Sequence, residues 1–118
     1  MKDLNKEKYN TKLRRQTRTR SKLHGTAERP RVAIKRSLRF MSAQAINDDK
    51  QQTIVGLHEA KLNLKGDKTK RAEEFGKLLA KALQDKKIKA IVFDRGAYKY
   101  HGRVKALAES LRANGLEF

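Results

Sequence analysis

The stretch IKAIVFDRGAYKYHGRVKALAESL, residues 88 to 111, contains the transition that decides the fold of this chain. Its first six residues form a short apolar run, which is typical of a buried parallel strand. A turn with glycines at 96 and 102 follows, and then apolar residues recur at helical spacing, at Val104, Leu107, Ala108 and Leu111. The "ANG" after this pattern ends the helix, with Gly115 as its left-handed cap.

Three further strands precede this unit. RVAIKR, residues 31–36, alternates, with Val32 and Ile34 on one side. RFMSAQAIN continues as a second strand and ends at the turn sequence NDDK, residues 47–50. TIVGLHE, residues 53–59, forms a third strand, in which Gly56 is expected to mark a bulge. The short connections indicate an antiparallel meander.

A helix connects the meander to the fourth strand. Apolar residues follow helical spacing from about residue 69 to 85, with Asp67 or Thr69 as candidate caps. A right-handed crossover places the fourth strand parallel to the first. The predicted fold class is therefore α/β: a mixed four-stranded sheet in the order 3-2-1-4, an antiparallel meander plus one parallel strand, with two packed helices and a basic N-terminal arm.

Composition restricts the class of protein. At 118 residues and 37% hydrophobic content, the chain can bury one modest core. The chain has no cysteine, which excludes disulfides and thiolate metal sites. The sequence has no apolar run of membrane-spanning length and no signal-peptide pattern, so we expect a cytoplasmic protein with no membrane partner.

The charge points to a polyanionic partner. Lys and Arg number 30 against 13 acidic residues, a net charge of +17, and nucleic acid is the usual partner of such a chain. Most of the excess lies before residue 40, and we predict a flexible basic arm and linker over 1–29, disordered in isolation, followed by an RNA-binding domain over 30–118. The arm cations expected to contact phosphates are Lys12, Arg14, Arg15, Arg18, Arg20 and Lys22.

Several residues invite a catalytic interpretation. Asp48 and Asp49 could bind Mg²⁺, although a hairpin turn requires such residues anyway. Asp94 ends a strand where α/β enzymes often carry catalytic groups, and its alternative roles are to cap the next turn or to pair with Arg95 or Arg103. The three histidines have no ligand spacing. We therefore predict no catalytic residue, metal, cofactor or small-molecule substrate.

The turn between Gly96 and Gly102 is not a Walker motif, because five residues separate its glycines and Arg103-Val104 follows. Its N–H groups and the helix start favour an anion. Cations and aromatic side chains alternate here as they do where unpaired bases and RNA backbones bind, at Arg95, Tyr98, Lys99, Tyr100, His101 and Arg103. Tyr98 and Tyr100 are expected to face opposite ways, so only one need touch RNA.

FDRGAYKYHGRVKALAESLRANGLEF closely resembles the C-terminal signature of the L-eighteen family, the bacterial large-subunit ribosomal proteins that bind 5S ribosomal RNA. RPRVAIKRSLRFMSAQAINDD and KLRRQTRTRSKLHGTAERPR are similar to that family's first strands and basic arm. Ala97 and Lys99 depart from its pattern, where glycine and an apolar residue are expected.

The resemblance implies a structural, non-enzymatic component of the large ribosomal subunit that helps attach 5S RNA beside the central protuberance. It also implies contacts with large-subunit RNA and with neighbouring 5S-binding proteins of the L-five and L-twenty-five families. It adds the turn KRSLR to the RNA contacts, through Lys35, Arg36, Ser37 and Arg39, and cations on a tight turn form a compact phosphate clamp.

Two other functions stay open on the sequence. One is a metal-dependent nuclease on a ribonuclease-H-like sheet, with Asp94 and Asp48 among the ligands, although such sites need several converging carboxylates. The other is a basic protein that binds or compacts nucleic acid without specificity.

Overall fold

The computed structural model describes residues 4–20 and 23–118. These residues form three α-helices and four strands: α1 (Leu4–Arg20), β1 (Arg31–Arg36), β2 (Met41–Asn47), β3 (Gln52–His58), α2 (Lys68–Asp85), β4 (Val92–Asp94) and α3 (Arg103–Ala113). The sheet order is β3-β2-β1-β4, with β1 parallel to β4 and the other pairs antiparallel. The predicted fold class is confirmed, and none of the described helices is long and apolar enough to cross a membrane.

The alternation in β1 and β2 produces a one-sided core. Ile34 pairs with Ala43, and Val32 pairs with Ala45, and these buried side chains share one face of the sheet. Both α2 and α3 contribute to the same core through fully buried residues such as Phe75 and Leu107. The intervening positions, which are more polar, lie on the other face of the sheet. The loops at the strand ends therefore extend from a sheet whose core lies on one face.

The bulge in β3 is not at Gly56, as the sequence predicted. Gly56 pairs regularly with Gln44, whereas Ala45 pairs with Val55 and Ile46 with Thr53, which leaves Ile54 as the extra residue. The position of a bulge depends on the register that the connecting turn imposes on the two strands. A glycine within a strand lacks a side chain but does not by itself shift that register.

Capping residues mark the start of α2 and the end of α3. The side chain of Asp67 accepts a hydrogen bond of 2.8 Å from the amide of Lys70, so Asp67 is the cap and the helix starts one residue before the predicted 69. At the end of α3, Gly115 has a φ of +99°, the left-handed conformation that glycine adopts without strain.

The apolar run at 88–93 forms a shorter ladder than its composition suggests. Only Val92–Asp94 pairs with β1, from Arg31 to Ala33. Before it, Ala90 pairs with Glu117, and the amide of Ile91 donates to the Glu117 carbonyl at 3.0 Å. Ile88 and Ile91 are thus buried next to the C-terminal segment, where Phe118 stacks on Phe93 at 5.4 Å between ring centroids.

The arm differs from a simple flexible tail because residues 4–20 form a helix. Seven of its 17 residues are Lys or Arg and none of its described side chains is buried, so packing contributes little to its stability. Disorder of the isolated arm, and the division at residue 29, stay predictions.

Gly76 allows α2 and α3 to approach closely. A Cβ added there would lie 2.7 Å from Cβ of Ser110 and 3.1 Å from Cδ1 of Leu107. The Ser110 hydroxyl also donates to the carbonyl of Glu73 at 2.6 Å across the same contact. The helix–helix spacing therefore requires glycine at this position.

We predict that Gly76→Ala lowers the free energy of unfolding by about 1–3 kcal/mol, because the added methyl group overpacks the α2–α3 contact. Helix propensity alone predicts the opposite sign, a gain of about 1 kcal/mol. Urea denaturation of the purified protein measures the change, with Glu74→Ala on the exposed side of α2 as control. A more stable Gly76→Ala protein would contradict the close approach.

Candidate nucleic-acid interface

The loop after β4 is built on Asp94. One carboxylate oxygen of this buried residue accepts a hydrogen bond of 2.8 Å from the amide of Gly96, and the other accepts one of 2.8 Å from Nη1 of Arg31. Asp94 therefore caps the turn, as one interpretation expected, but its ionic partner is Arg31 and neither Arg95 nor Arg103. Arg31 begins the neighbouring parallel strand opposite Val92, and its side chain extends along the strands to the Asp94 carboxylate two residues further on.

Tyr98 ties this loop to the end of β1. Its hydroxyl accepts a hydrogen bond of 3.0 Å from the amide of Arg36 and donates one of 3.2 Å to the carbonyl of the same residue. The Arg36 guanidinium lies 5.0 Å from the centre of the Tyr98 ring, and Arg95 donates to the Tyr98 carbonyl. Tyr100, by contrast, is 42% exposed. Of the two tyrosines, Tyr98 holds the loop and Tyr100 presents its ring to solvent.

The KRSLR turn is locked from inside. The hydroxyl and amide of Ser37 both bond to the carbonyl of Phe40, so Ser37 builds the turn. Arg103, the first residue of α3, donates from Nη2 to the Ser37 carbonyl at 2.8 Å. Lys35, Arg36 and Arg39 are exposed around this turn. The turn and the loop are therefore one rigid corner of the domain.

Arg103 is partly buried within this corner. Burial lowers the pKa of its guanidinium, and the nearby charge of Arg36 acts in the same direction. Within the described residues, its Nη1 is buried and has no hydrogen-bond partner. Arg103 therefore both supports the turn and retains an unused donor.

The arm helix forms a groove with this corner. The groove has a volume of about 970 Å³ and is lined on one side by successive turns of α1 and on the other by the loop. The α1 residues share one helix face, and the opposite wall contains the 97–99 segment and its neighbours: Glu7, Lys8, Thr11, Lys12 and Arg15 face Arg36, Ala97, Tyr98, Lys99, His101 and Gly102. Cations from both walls therefore face one channel.

Other predicted arm cations lie elsewhere. Arg14 and Arg18 are exposed on α1 outside the residues that line the groove. Arg20 forms an ion pair with Asp48, 3.1 Å from Nη2 to Oδ1, and donates to the Leu23 carbonyl. Lys22 lies outside the described residues. The structure thus places Arg20 in an internal contact rather than on the groove.

Asp48 is a structural turn residue. Its carboxylate accepts two hydrogen bonds from Arg31, at 2.9 and 3.1 Å, and one of 2.7 Å from the amide of Gly25. Hydrogen bonding to Arg31 is the largest cause that lowers the pKa of Asp48, from 3.8 to about 2, and it also raises that of Arg31. These partners occupy both carboxylate oxygens, which supports the turn interpretation over magnesium binding.

The three histidines occupy separate environments. His24 pairs with Asp49 at 2.6 Å, His58 accepts a hydrogen bond from the Ala60 amide and lies near the Phe40 ring, and His101 lines the groove. Among residues 4–20 and 23–118 no group of three or more His, Cys, Asp or Glu is placed to hold a metal ion.

Comparison with known proteins identifies the family. The model of the family described as "Ribosomal L18 of archaea, bacteria, mitoch. and chloroplast" matches residues 6–118. The chain belongs to this family. It is 46% identical over 115 residues to the large ribosomal subunit protein uL18 of Staphylococcus haemolyticus, covering 95% of this chain and 96% of the relative. The uL18 protein of Solibacter usitatus is 47% identical over 114 residues, with the same coverage.

The uL18 protein of Mycoplasmopsis pulmonis is 51% identical over 104 residues, or 84% of this chain and 86% of that one. Since the family model matches residues 6–118, it includes the arm, the first strands and the C-terminal signature, the three stretches at which the sequence resembles the family. The chain is a ribosomal protein of the large subunit, in a family of ribosomal structural proteins.

Two internally paired arginines, Arg31 and Arg71, are absent from the site residues predicted from the sequence. Arg31 was recognised only as part of a strand, and Arg71, which lies 3.4 Å from the buried carboxylate of Glu59, was not singled out. The signal for Arg31 was its position: it shares the polar face of β1 with Lys35, opposite Val32 and Ile34. A charged residue at the protected start of a strand requires a carboxylate nearby.

We predict that Asp48→Asn lowers the free energy of unfolding at neutral pH by about 2 kcal/mol, and that the difference disappears at acidic pH. The folded-state pKa of Asp48 is below its ordinary value. Its contribution is therefore complete above about pH 4 and is lost as pH falls through about 2. Denaturant titrations at stepped pH measure this gap. Asp85→Asn, on the exposed end of α2, serves as control, and a gap independent of pH would contradict the prediction.

Proposed function

We propose that this protein binds 5S ribosomal RNA and helps attach it to the large subunit at the central protuberance, as a structural component with no catalytic role. The observation that carries this proposal is the groove between α1 and the 97–102 loop, with cations on both walls. Phosphates repel one another, and a channel with positive charge on two sides neutralises a backbone that follows it.

The groove is suited to RNA that is not a plain duplex. Tyr100 and His101 are exposed beside the cationic wall, and aromatic rings there can stack on unpaired bases. The guanidinium of Arg103, whose Nη2 donates to the Ser37 carbonyl, adds positive charge to this corner. The exposed cations of the KRSLR turn extend the positive surface beyond the groove. The proposed RNA contacts are therefore Lys8, Lys12, Arg15, Lys35, Arg36, Arg39, Lys99, Tyr100, His101 and Arg103.

The carboxylate arrangement does not favour the nuclease. Asp94 and Asp48 are held by the same guanidinium, and their oxygens accept hydrogen bonds from Arg31, Gly25 and Gly96. A two-metal site would have to displace Arg31 from both. The arrangement is that of an ion-paired support beneath a binding loop.

The remaining partners follow from family membership and from this surface. We propose contacts with large-subunit RNA through the arm, whose outer cations lie away from the groove, and with neighbouring 5S-binding ribosomal proteins of the L-five and L-twenty-five families. The proposed place of the protein is the cytoplasmic ribosome.

The central test is RNA selectivity. Purified protein is titrated with folded 5S RNA and, separately, with random duplex DNA at physiological salt. An architectural RNA-binding protein should prefer the 5S RNA by about a thousandfold or more. Equal affinities would instead support a nonspecific basic protein. Labelled RNA incubated with the protein and Mg²⁺ should be retained intact, and progressive cleavage would support the nuclease.

We predict that Lys12→Ala and Lys99→Ala, one on each wall of the groove, each weaken 5S RNA binding and reduce the slope of log K against log salt by about 1. Each substitution removes one phosphate contact and the counterion release that accompanies it. Lys81→Ala, on the exposed surface of α2, removes the same charge elsewhere and should leave the slope near that of wild type. If Lys12→Ala, Lys99→Ala and Lys81→Ala all gave the same salt slope, the RNA would bind outside the groove.

A further inference from the structure

The linker between α1 and β1 is bound to the turn that joins β2 and β3. The amide of Asp48 donates to the carbonyl of Gly25 at 2.9 Å, and the amide of Gly25 donates to the Asp48 carboxylate at 2.7 Å. Next to this pair, His24 lies 2.6 Å from Asp49. Two consecutive linker residues are therefore attached to two consecutive turn residues.

Gly25 makes this attachment closer than a side chain would permit. A Cβ at this position would lie 2.3 Å from the amide nitrogen of Arg31 and 2.4 Å from the carbonyl oxygen of Ile46. Gly25 is buried, although it belongs to a segment that the sequence predicts as a flexible linker. The chain therefore leaves the domain from a fixed point.

The end of the arm helix is attached to the same carboxylate. Nη2 of Arg20 lies 3.1 Å from Oδ1 of Asp48, and Nη1 of Arg20 donates to the Leu23 carbonyl. The Asp48 side chain is only 10% exposed and that of Arg20 is 41% exposed, so water screens the arginine side of this ion pair more than the carboxylate. Asp48 thus contacts the last residue of α1, the linker at Gly25 and the sheet at Arg31.

We propose that Asp48 is a positioning residue for RNA binding: it fixes the direction in which α1 leaves the domain and so sets the opposite wall of the groove. This inference rests on the RNA-binding function proposed above. Without the attachment, α1 would sample many directions, and RNA binding would have to supply the entropy cost of ordering it. Asp48 itself does not line the groove.

The sign of one substitution tests the proposal. Asp48→Asn makes the protein more positive, so simple electrostatics predicts equal or tighter RNA binding. Positioning predicts the reverse, a roughly tenfold rise in Kd for folded 5S RNA. Asp85→Asn makes the same change of charge on the exposed end of α2 and should bind at least as tightly as wild type. Equal affinities for the two variants would overturn the proposal.

A variant without the α1 cations distinguishes an effect of Asp48 through the arm from one through the loop. Asp48 is also connected to the loop, through Arg31 and Asp94. In the full chain carrying Lys8→Gln, Lys12→Gln and Arg15→Gln, the α1 wall has lost its cations. Adding Asp48→Asn there should change the affinity less than twofold. A persistent tenfold loss would show that Asp48 acts through the sheet or the loop, against the proposal.

A direct readout keeps the proposal testable if Asp48→Asn unfolds the domain. The chain has no cysteine, so Leu13→Cys on α1 and Glu74→Cys on α2 provide two unique spin-label sites in the free protein. Arg20→Gln removes only the helix side of the ion pair and should broaden the distance distribution between the labels. Arg14→Gln removes the same charge from α1 and should leave it narrow. Identical distributions would overturn the proposal.

The outcomes distinguish the two levels of inference. If wild-type protein shows no preference for 5S RNA, the proposed function fails, whatever the label distances show. If wild type binds selectively while Asp48→Asn matches Asp85→Asn, the function stands and the positioning role fails.

Discussion

The rest of the structure depends on the ion pairs that the Arg31 guanidinium forms with two carboxylates. The guanidinium bonds to Asp48 at the β2–β3 turn and to Asp94 at the end of β4, so one side chain joins two distant parts of the sheet. All three groups are largely withdrawn from water, and buried charges are tolerated only when each is paired. The pairing therefore aligns the parallel strand, the loop that follows it and the linker that precedes β1. Although the protein is rich in cations, Arg31 is an internal one, because two aspartates occupy its guanidinium.

The sheet could be predicted from sequence because its pattern is local. Alternation over 31–36 and helical spacing over 68–85 report which face of each element is buried, and the crossover rule then gives the order of the strands. The position of the bulge and the length of β4 could not be predicted. Ile54 is extra only relative to its partner strand, and Ile91 is paired with Glu117 instead of β1. Both depend on contacts between residues far apart in sequence.

The candidate interface likewise combines features that the sequence predicts with contacts that it does not. Charge density identified the arm, and alternating cations and aromatic residues identified the loop, because both are properties of neighbouring residues. The internal contacts of individual side chains could not be predicted from the sequence. Arg20 pairs with Asp48, Ser37 hydrogen-bonds within its own turn, and Tyr98 bonds to the backbone of Arg36. Every residue has a backbone carbonyl that can accept a hydrogen bond, so no sequence pattern distinguishes a cation that binds a carbonyl from one that is free to bind a partner.

The pairing of the 89–91 segment with Glu117 has a consequence for synthesis. The outer strand follows β1 by some sixty residues, and Ile91 receives its backbone partner only when Glu117 is available. While the chain emerges from a translating ribosome, the β1–β3 meander can form early, whereas the 89–91 segment obtains its backbone partner only when residue 117 is free. A nascent chain would therefore present its basic arm before it has a finished corner beside it.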